Sequence, residues 1–195
     1  MSLCDYKIQY NMYTQVTSDT SFRTDENIMT QPIFDDEYWM HEALKLANKA
    51  ESEGEIPVGA IIVKDNKVIA TGWNRSINTH DPSAHAEMLA IREAGKVLEN
   101  YRMLGCTLYV TLEPCFMCAG LLVHSRIERL VFGADDLKTG SAGSLMNLVK
   151  HPDLNHQLDV TSGVLAERCG NKLSHFFKRR RKEIKAKKKA QRNNI

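Results

Sequence analysis

Cys115 and Cys118 stand three residues apart in TLEPCFMC (111–118), directly behind a proline. A C-x-x-C pair can hold a metal as two thiolates, cycle as a redox couple, or simply fill a core. A structural zinc site is closed by four protein ligands, whereas a catalytic one uses three and keeps a position for water. Cys4, Cys106 and Cys169 form no second C-x-x-C, so an imidazole is the best remaining donor. His85 is the candidate, in the HAE stretch (85–87) at the start of another expected helix. Glu87 lies two residues further on and need not ligate. A carboxylate beside a hydrolytic water can take its proton and hand it on. Zinc draws the pKa of such a water towards about 7, so His85, Cys115, Cys118 and Glu87 together predict metal-assisted hydrolysis. A lone H-x-E is commonly a surface accident and a lone C-x-x-C is ambiguous. Thirty residues apart with a strand between them, the two halves reinforce each other.

Those four residues need elements that bring them together. The stretch 36–53 has helical spacing, with Met40, Ala43, Leu44, Ala47 and Ala50 on one face and Asp35 or Asp36 as N-cap. VGAIIVK (58–64) and KVIATGWN (67–74) read as two strands joined at Asp65–Asn66. A helix is predicted over 81–98, capped by Asp81 or Ser83 with Pro82 in its first turn. TLYVTLE (107–113) reads as a buried strand and 114–125 as a short helix opening on Pro114. Strands at 128–133 and 157–163 and a long helix over 164–189 complete the pattern. Strand–helix–strand units need crossovers, so the sheet is expected to be mixed, with helices on both faces. Two helix starts that each follow a strand can then meet at one end of the sheet.

Bulk properties narrow the class. A chain of 195 residues with 43% hydrophobic content suits one soluble globular domain. Its longest apolar runs, such as VGAIIV (58–63), are strand-sized and do not span a bilayer. The N-terminal stretch lacks the basic and apolar regions of a secretory signal and carries acids that a transit peptide avoids. Five irregularly spaced cysteines do not form a disulfide framework, and a reducing, cytoplasmic setting follows. Residues 1–28 are polar and aperiodic and read as a disordered extension; 29–195 read as one domain. The net charge of +2 hides an asymmetry. Ten of the 26 basic residues and one of the 24 acidic residues fall within 178–192, leaving a body of net −7. The basic tail suits a polyanionic partner, or a solvated helix end.

H-x-E followed by P-C-x-x-C is the pattern known from zinc-dependent nucleobase deaminases. HAEMLAIREA, TLYVTLEPCFMCAG, HSRIERLVFGADDLKTGSAGS and FFKRRRKEIKAKKKAQ go further and closely resemble the bacterial tRNA adenosine deaminases. The likeness runs from about Asp36 to Arg192 and includes EIPVGA (55–60), GWNR (72–75) and HDPSAHAE (80–87). It implies a three-layer α/β/α cytidine-deaminase-like fold with a mixed five-stranded sheet. It also implies one Zn2+ per subunit, a homodimer, and hydrolytic deamination of the wobble adenosine of a tRNA anticodon stem-loop, normally in an arginine tRNA. By the same resemblance, Asn74 hydrogen-bonds the flipped base, while Val58, Ala86 and Leu112 line the pocket through backbone groups. Asp136 lies near the substrate ribose. Phe176, Phe177, Arg180 and Arg181 belong to the part of the last helix that approaches RNA. Asp135 is a departure, since it sets a second acid beside Asp136 where RNA should pass.

Three rivals remain on sequence grounds. A zinc deaminase of free cytosine, cytidine or guanine would share the metal site, but a free base offers no phosphates to the basic tail. A non-catalytic RNA-binding subunit would not need Glu87. A C-x-x-C redox protein leaves HAE unexplained.

Overall fold

Alternation along the strands decides where the layers go. The computed structural model describes residues 34–192, and the expectation for residues 1–28 lies outside them. Strands β1 (Gly59–Lys64), β2 (Lys67–Trp73), β3 (Thr107–Leu112), β4 (Arg129–Ala134) and β5 (Asp159–Thr161) form one sheet. Its order is β2-β1-β3-β4-β5. β1 runs antiparallel to β2 and β3, whereas β3, β4 and β5 run parallel. The expected hairpin is present, with Asp65 and Asn66 both left-handed at φ 50° and 55°. Such a turn matches the strand twist.

Successive strand residues enter opposite layers. Ala60, Ile62, Leu108, Val110, Leu130 and Phe132 bury against helices α3 (Ala86–Leu98) and α4 (Phe116–Ser125). Ile61, Val63, Tyr109 and Val131 bury against α1 (Asp36–Ser52) on the other face. Covered faces on both sides explain why the strands read as nearly continuous apolar runs. The result is the three-layer mixed architecture that the sequence predicts.

Helix α1 starts where expected. The Asp35 carboxylate accepts the Tyr38 N–H at 2.8 Å, satisfying an otherwise unpaired first-turn donor. Its buried stripe is Trp39, Met40, Ala43, Leu44, Ala47 and Ala50. At the opposite end of the chain, α5 (Ala166–Arg192) docks by Cys169 and Phe176. It is also clamped to α1, where Glu51 accepts from Lys172 at 2.8 Å and Arg179 at 2.7 Å.

Several boundaries differ from the expectation, each for a local reason. The helix expected over 81–98 begins only at Ala86. Asp81 accepts the Ser83 N–H (2.8 Å) and hydroxyl (2.7 Å), so Pro82 belongs to a turn and not to a helix start. A short helix α2 (Ser76–Thr79) precedes it, unanticipated. Its first N–H groups, of Ile77 and Asn78, reach the buried Glu55 carboxylate at 3.2 and 2.7 Å. Helix α4 begins at Phe116, with Cys115 as N-cap, instead of at Pro114. β5 is three residues long, and α5 continues to Arg192. Among the described residues no helix is long and apolar enough to cross a membrane.

Candidate active site

Strand direction assembles the site. Because β1 is antiparallel to both β2 and β3, those two strands end at the same end of the sheet, and β4 ends beside β3. The chain leaving β2 leads to α3, the chain leaving β3 leads to α4, and the chain leaving β4 forms the loop 135–147. Crevices at the carboxyl ends of strands are the usual place for a ligand in such sheets.

Gly72 lets α3 approach. A Cβ there would lie 2.1 Å from the Ala86 carbonyl oxygen, so any other residue would push the helix start away. His85 is the N-cap of α3 and Cys115 the N-cap of α4, yet neither side chain caps its helix. Both are therefore free for other partners. His85 Nδ1 lies 3.7 Å from Cys115 Sγ and 3.6 Å from Cys118 Sγ. Tetrahedral zinc with metal–sulfur and metal–nitrogen bonds of about 2.3 and 2.0–2.1 Å sets such donors about 3.6 Å apart. The three ligand atoms all lie within 4.8 Å of one another, and among the described residues no fourth His, Cys, Asp or Glu joins them. The donor set fits a zinc ion with three protein ligands.

Charge is arranged accordingly. The Cys115 thiol is pulled down to about 4, first by its hydrogen bond with Cys118 and then by His85. Cys118 is pushed up in turn by Cys115 and by burial. Helix N-termini favour thiolates, the form in which a metal binds cysteine. His85 is raised by its contact with Cys115. Glu87, in the first turn of α3, is 4% exposed, and burial pushes its carboxyl up. A buried carboxyl beside the donor triangle is placed to take and hand on a proton.

A cavity of about 570 Å³ gathers most of the expected residues: Val58, Asn74, His85, Glu87, Leu112, Cys115, Asp136 and Phe177. Asn74 Oδ1 accepts the Ala86 N–H at 2.9 Å, fixing the start of α3. Its own N–H bonds to Val58 O at 3.1 Å. Ala86 is fully buried and is not on the cavity wall, and its N–H is engaged by Asn74. The residues on either side of it in sequence, His85 and Glu87, line the cavity in its place. Phe176 is buried and packs edge-to-face on Phe177, 5.5 Å between centroids. Arg180 and Arg181 are exposed beyond the cavity, and Arg180 pairs with Glu183 at 3.1 Å.

The Asp136 carboxylate accepts the Lys138 and Thr139 N–H groups (2.9 and 3.2 Å) and the Thr139 hydroxyl (2.7 Å). Burial raises its pKa, but these donors outweigh that and hold it below the ordinary range. Sequence reasoning missed Ile56, Leu137, Leu173 and Ser174, which also line the cavity, and it missed Glu113. Only Glu113 had a signal: an acid at the end of the apolar strand TLYVTLE, next to the first cysteine.

Residues 34–134 match the family described as the cytidine and deoxycytidylate deaminase zinc-binding region. The tRNA-specific adenosine deaminase of Haemophilus influenzae is 58% identical over 154 residues, covering 78% of this chain and 89% of the relative. That of Bacillus subtilis is 52% identical over 160 residues, covering 82% and 97%. A structure solved in a study of A-to-I editing by tRNA:A34 deaminases at the wobble position of transfer RNA superposes with TM-score 0.67 at 40% identity. The match covers 70% of this chain and 99% of that one. The chain belongs to the cytidine and deoxycytidylate deaminase zinc-binding family and, within it, to the tRNA-specific adenosine deaminases.

Proposed function

We propose that this protein converts the wobble adenosine, position 34 of a tRNA anticodon, to inosine by zinc-dependent hydrolytic deamination. The observation that carries the reading is the His85–Cys115–Cys118 donor triangle, of which His85 and Cys115 line one cavity together with the buried Glu87. His85 Nδ1 and the two sulfurs would hold the ion, which when bound would supply Lewis acidity and activate a water near neutral pH. Glu87 would take a proton from the attacking water on a carboxylate oxygen and deliver it to the base, whose C6 gains the oxygen while its amino group leaves as ammonia. Asn74, held by Ala86 and Val58, recognises the flipped base through its carboxamide. Val58 and Leu112 line its pocket, and Asp136 lies on the ribose side.

An anticodon loop is single-stranded, so its base enters such a cavity at lower cost than a duplex base would. Phe177 sits on the cavity wall, and the exposed basic residues of α5, Arg181 among them, hold phosphates without reading sequence. The resemblance points to an arginine tRNA, to a homodimer and to the cytoplasm. The exposed Tyr101, Leu104 and Val97 near the end of α3 and in its following loop offer apolar surface for a second copy. Incubating the purified, zinc-loaded protein with an arginine tRNA anticodon stem-loop should yield inosine. Ammonia from free cytosine, cytidine or guanine, with none from the stem-loop, would replace this reading with a small-molecule deaminase. Sedimentation at micromolar concentration tests the dimer.

A further inference from the structure

Glu113 follows the last residue of β3 and directly precedes Pro114 and Cys115, and it is 2% exposed although it is an acid. A buried carboxylate is tolerated only when it is well hydrogen-bonded. Three backbone N–H groups of one loop donate to Glu113. Asp136 N donates to Oε2 at 3.0 Å, while Ala142 N and Ser144 N donate to Oε1 at 2.9 and 3.0 Å. The same loop is tied to the start of α4 by Ser141 N donating to Pro114 O at 2.9 Å and by a bridge between Cys115 and Gly140. Packing at the centre is tight. A Cβ on Gly140 would lie 2.2 Å from Glu113 Oε2 and 2.4 Å from the Asp136 carbonyl oxygen. The outer part of the loop, residues 135–139, lines the cavity. Leu137 there is 81% exposed, so it has little packing of its own to hold it in place.

We infer that Glu113 is a positioning residue for the substrate: through its three N–H partners it holds residues 135–139 as one wall of the cavity and so sets how the target nucleotide is seated. The inference deepens the proposed function and rests on it. Glu113 also borders the cavity, but its carboxylate oxygens are taken up by the N–H groups of the loop. Its two oxygens divide the work, with Oε1 fixing the return of the loop and Oε2 fixing its cavity side.

That division makes Glu113→Gln informative. The amide retains a carbonyl oxygen for the Ala142 and Ser144 pair but presents an N–H group to the Asp136 N–H. KM for an arginine anticodon stem-loop should rise about tenfold, as expected when a buried donor loses its acceptor. By contrast, kcat should stay within about twofold and zinc content at about one per chain, because no group acting on the base has moved. Gly140→Ala attacks the same contact from the loop side and should give the same split between KM and kcat. Wild-type KM in both variants, or kcat falling together with zinc content, would overturn the inference and leave Glu113 a structural support of the metal site. Should Glu113→Gln fail to fold, Gly140→Ala decides by the same criteria. If the unaltered protein makes no inosine from the stem-loop, the proposed function fails and this inference falls with it. Inosine from the unaltered protein with unchanged variants rejects Glu113 alone.

Discussion

At the scale of single residues, the division of labour rests on burial and contact. His85 and Cys115 occupy N-cap positions without capping, which is what leaves their side chains available to one another. Glu87 is held in the same cavity but outside the donor triangle. Replacing Glu87 with Ala should lower the rate of inosine formation by at least about 10²–10⁴-fold, the range typical for removal of a general acid–base group. Metal analysis of that variant should still find about one zinc per chain, because Glu87 is not a ligand. Loss of zinc together with activity would show that the carboxylate supports the ion instead. Cys115→Ser should do the opposite, losing metal and activity together.

At the scale of elements, the site depends on how closely helices approach the sheet. Gly72→Ala places a methyl group 2.1 Å from the Ala86 carbonyl oxygen, inside van der Waals contact. The start of α3 must shift, at a cost of about 1–3 kcal/mol typical of overpacking. Denaturant unfolding and zinc content, measured together, should show weaker metal retention than in the unaltered protein. On the opposite face, α1 is held by Asp36, which receives Arg129 Nη1 at 2.8 Å and the Tyr109 hydroxyl at 2.9 Å. Arg129 and Tyr109 lower the Asp36 pKa, with burial partly opposing them. A carboxylate lowered on folding stabilises fully above its unfolded pKa, and that contribution is lost as pH falls through its folded pKa. Asp36→Asn should therefore cost about 1–2 kcal/mol at neutral pH, discounted for partial exposure. The difference between the two proteins should vanish in acid below the carboxylate range, and a constant difference down to that pH would reject the ion-pair account.

At the scale of the whole molecule, an acidic body carries a basic helix. Part of that helix is already engaged: Arg179 pairs with Glu51 and Glu183, and Arg180 shares Glu183. Exposed residues further along, such as Lys185, Lys187, Lys188 and Lys189, have no ion pair among the described residues and are the candidates for contacting phosphates of the proposed tRNA partner. Removing residues 185–195 should weaken tRNA binding and flatten its dependence on salt. Each phosphate that is no longer neutralised reduces the slope of log K against log salt by about 0.7–0.9. Binding isotherms at several salt concentrations test this, and an unchanged slope would assign the tail to solubility.

The amino-acid sequence alone carried the donor set that the structure brings together, because ligand types and spacing are local properties of HAE and PCFMC. It also carried the sheet class, since hydrophobic periodicity and crossover lengths restrict how strands can pair. The helix starts expected at Asp81 and Pro114 lie further along the chain, because a side chain that closes a turn and one that caps a helix are the same residue types in a string. The shared wall of the cavity was not legible at all. Glu113 meets Asp136, Ala142 and Ser144 across 23 to 31 residues. Only the folded chain decides which loop a buried carboxylate finds, since that pairing follows from strand order and packing and leaves no periodic trace.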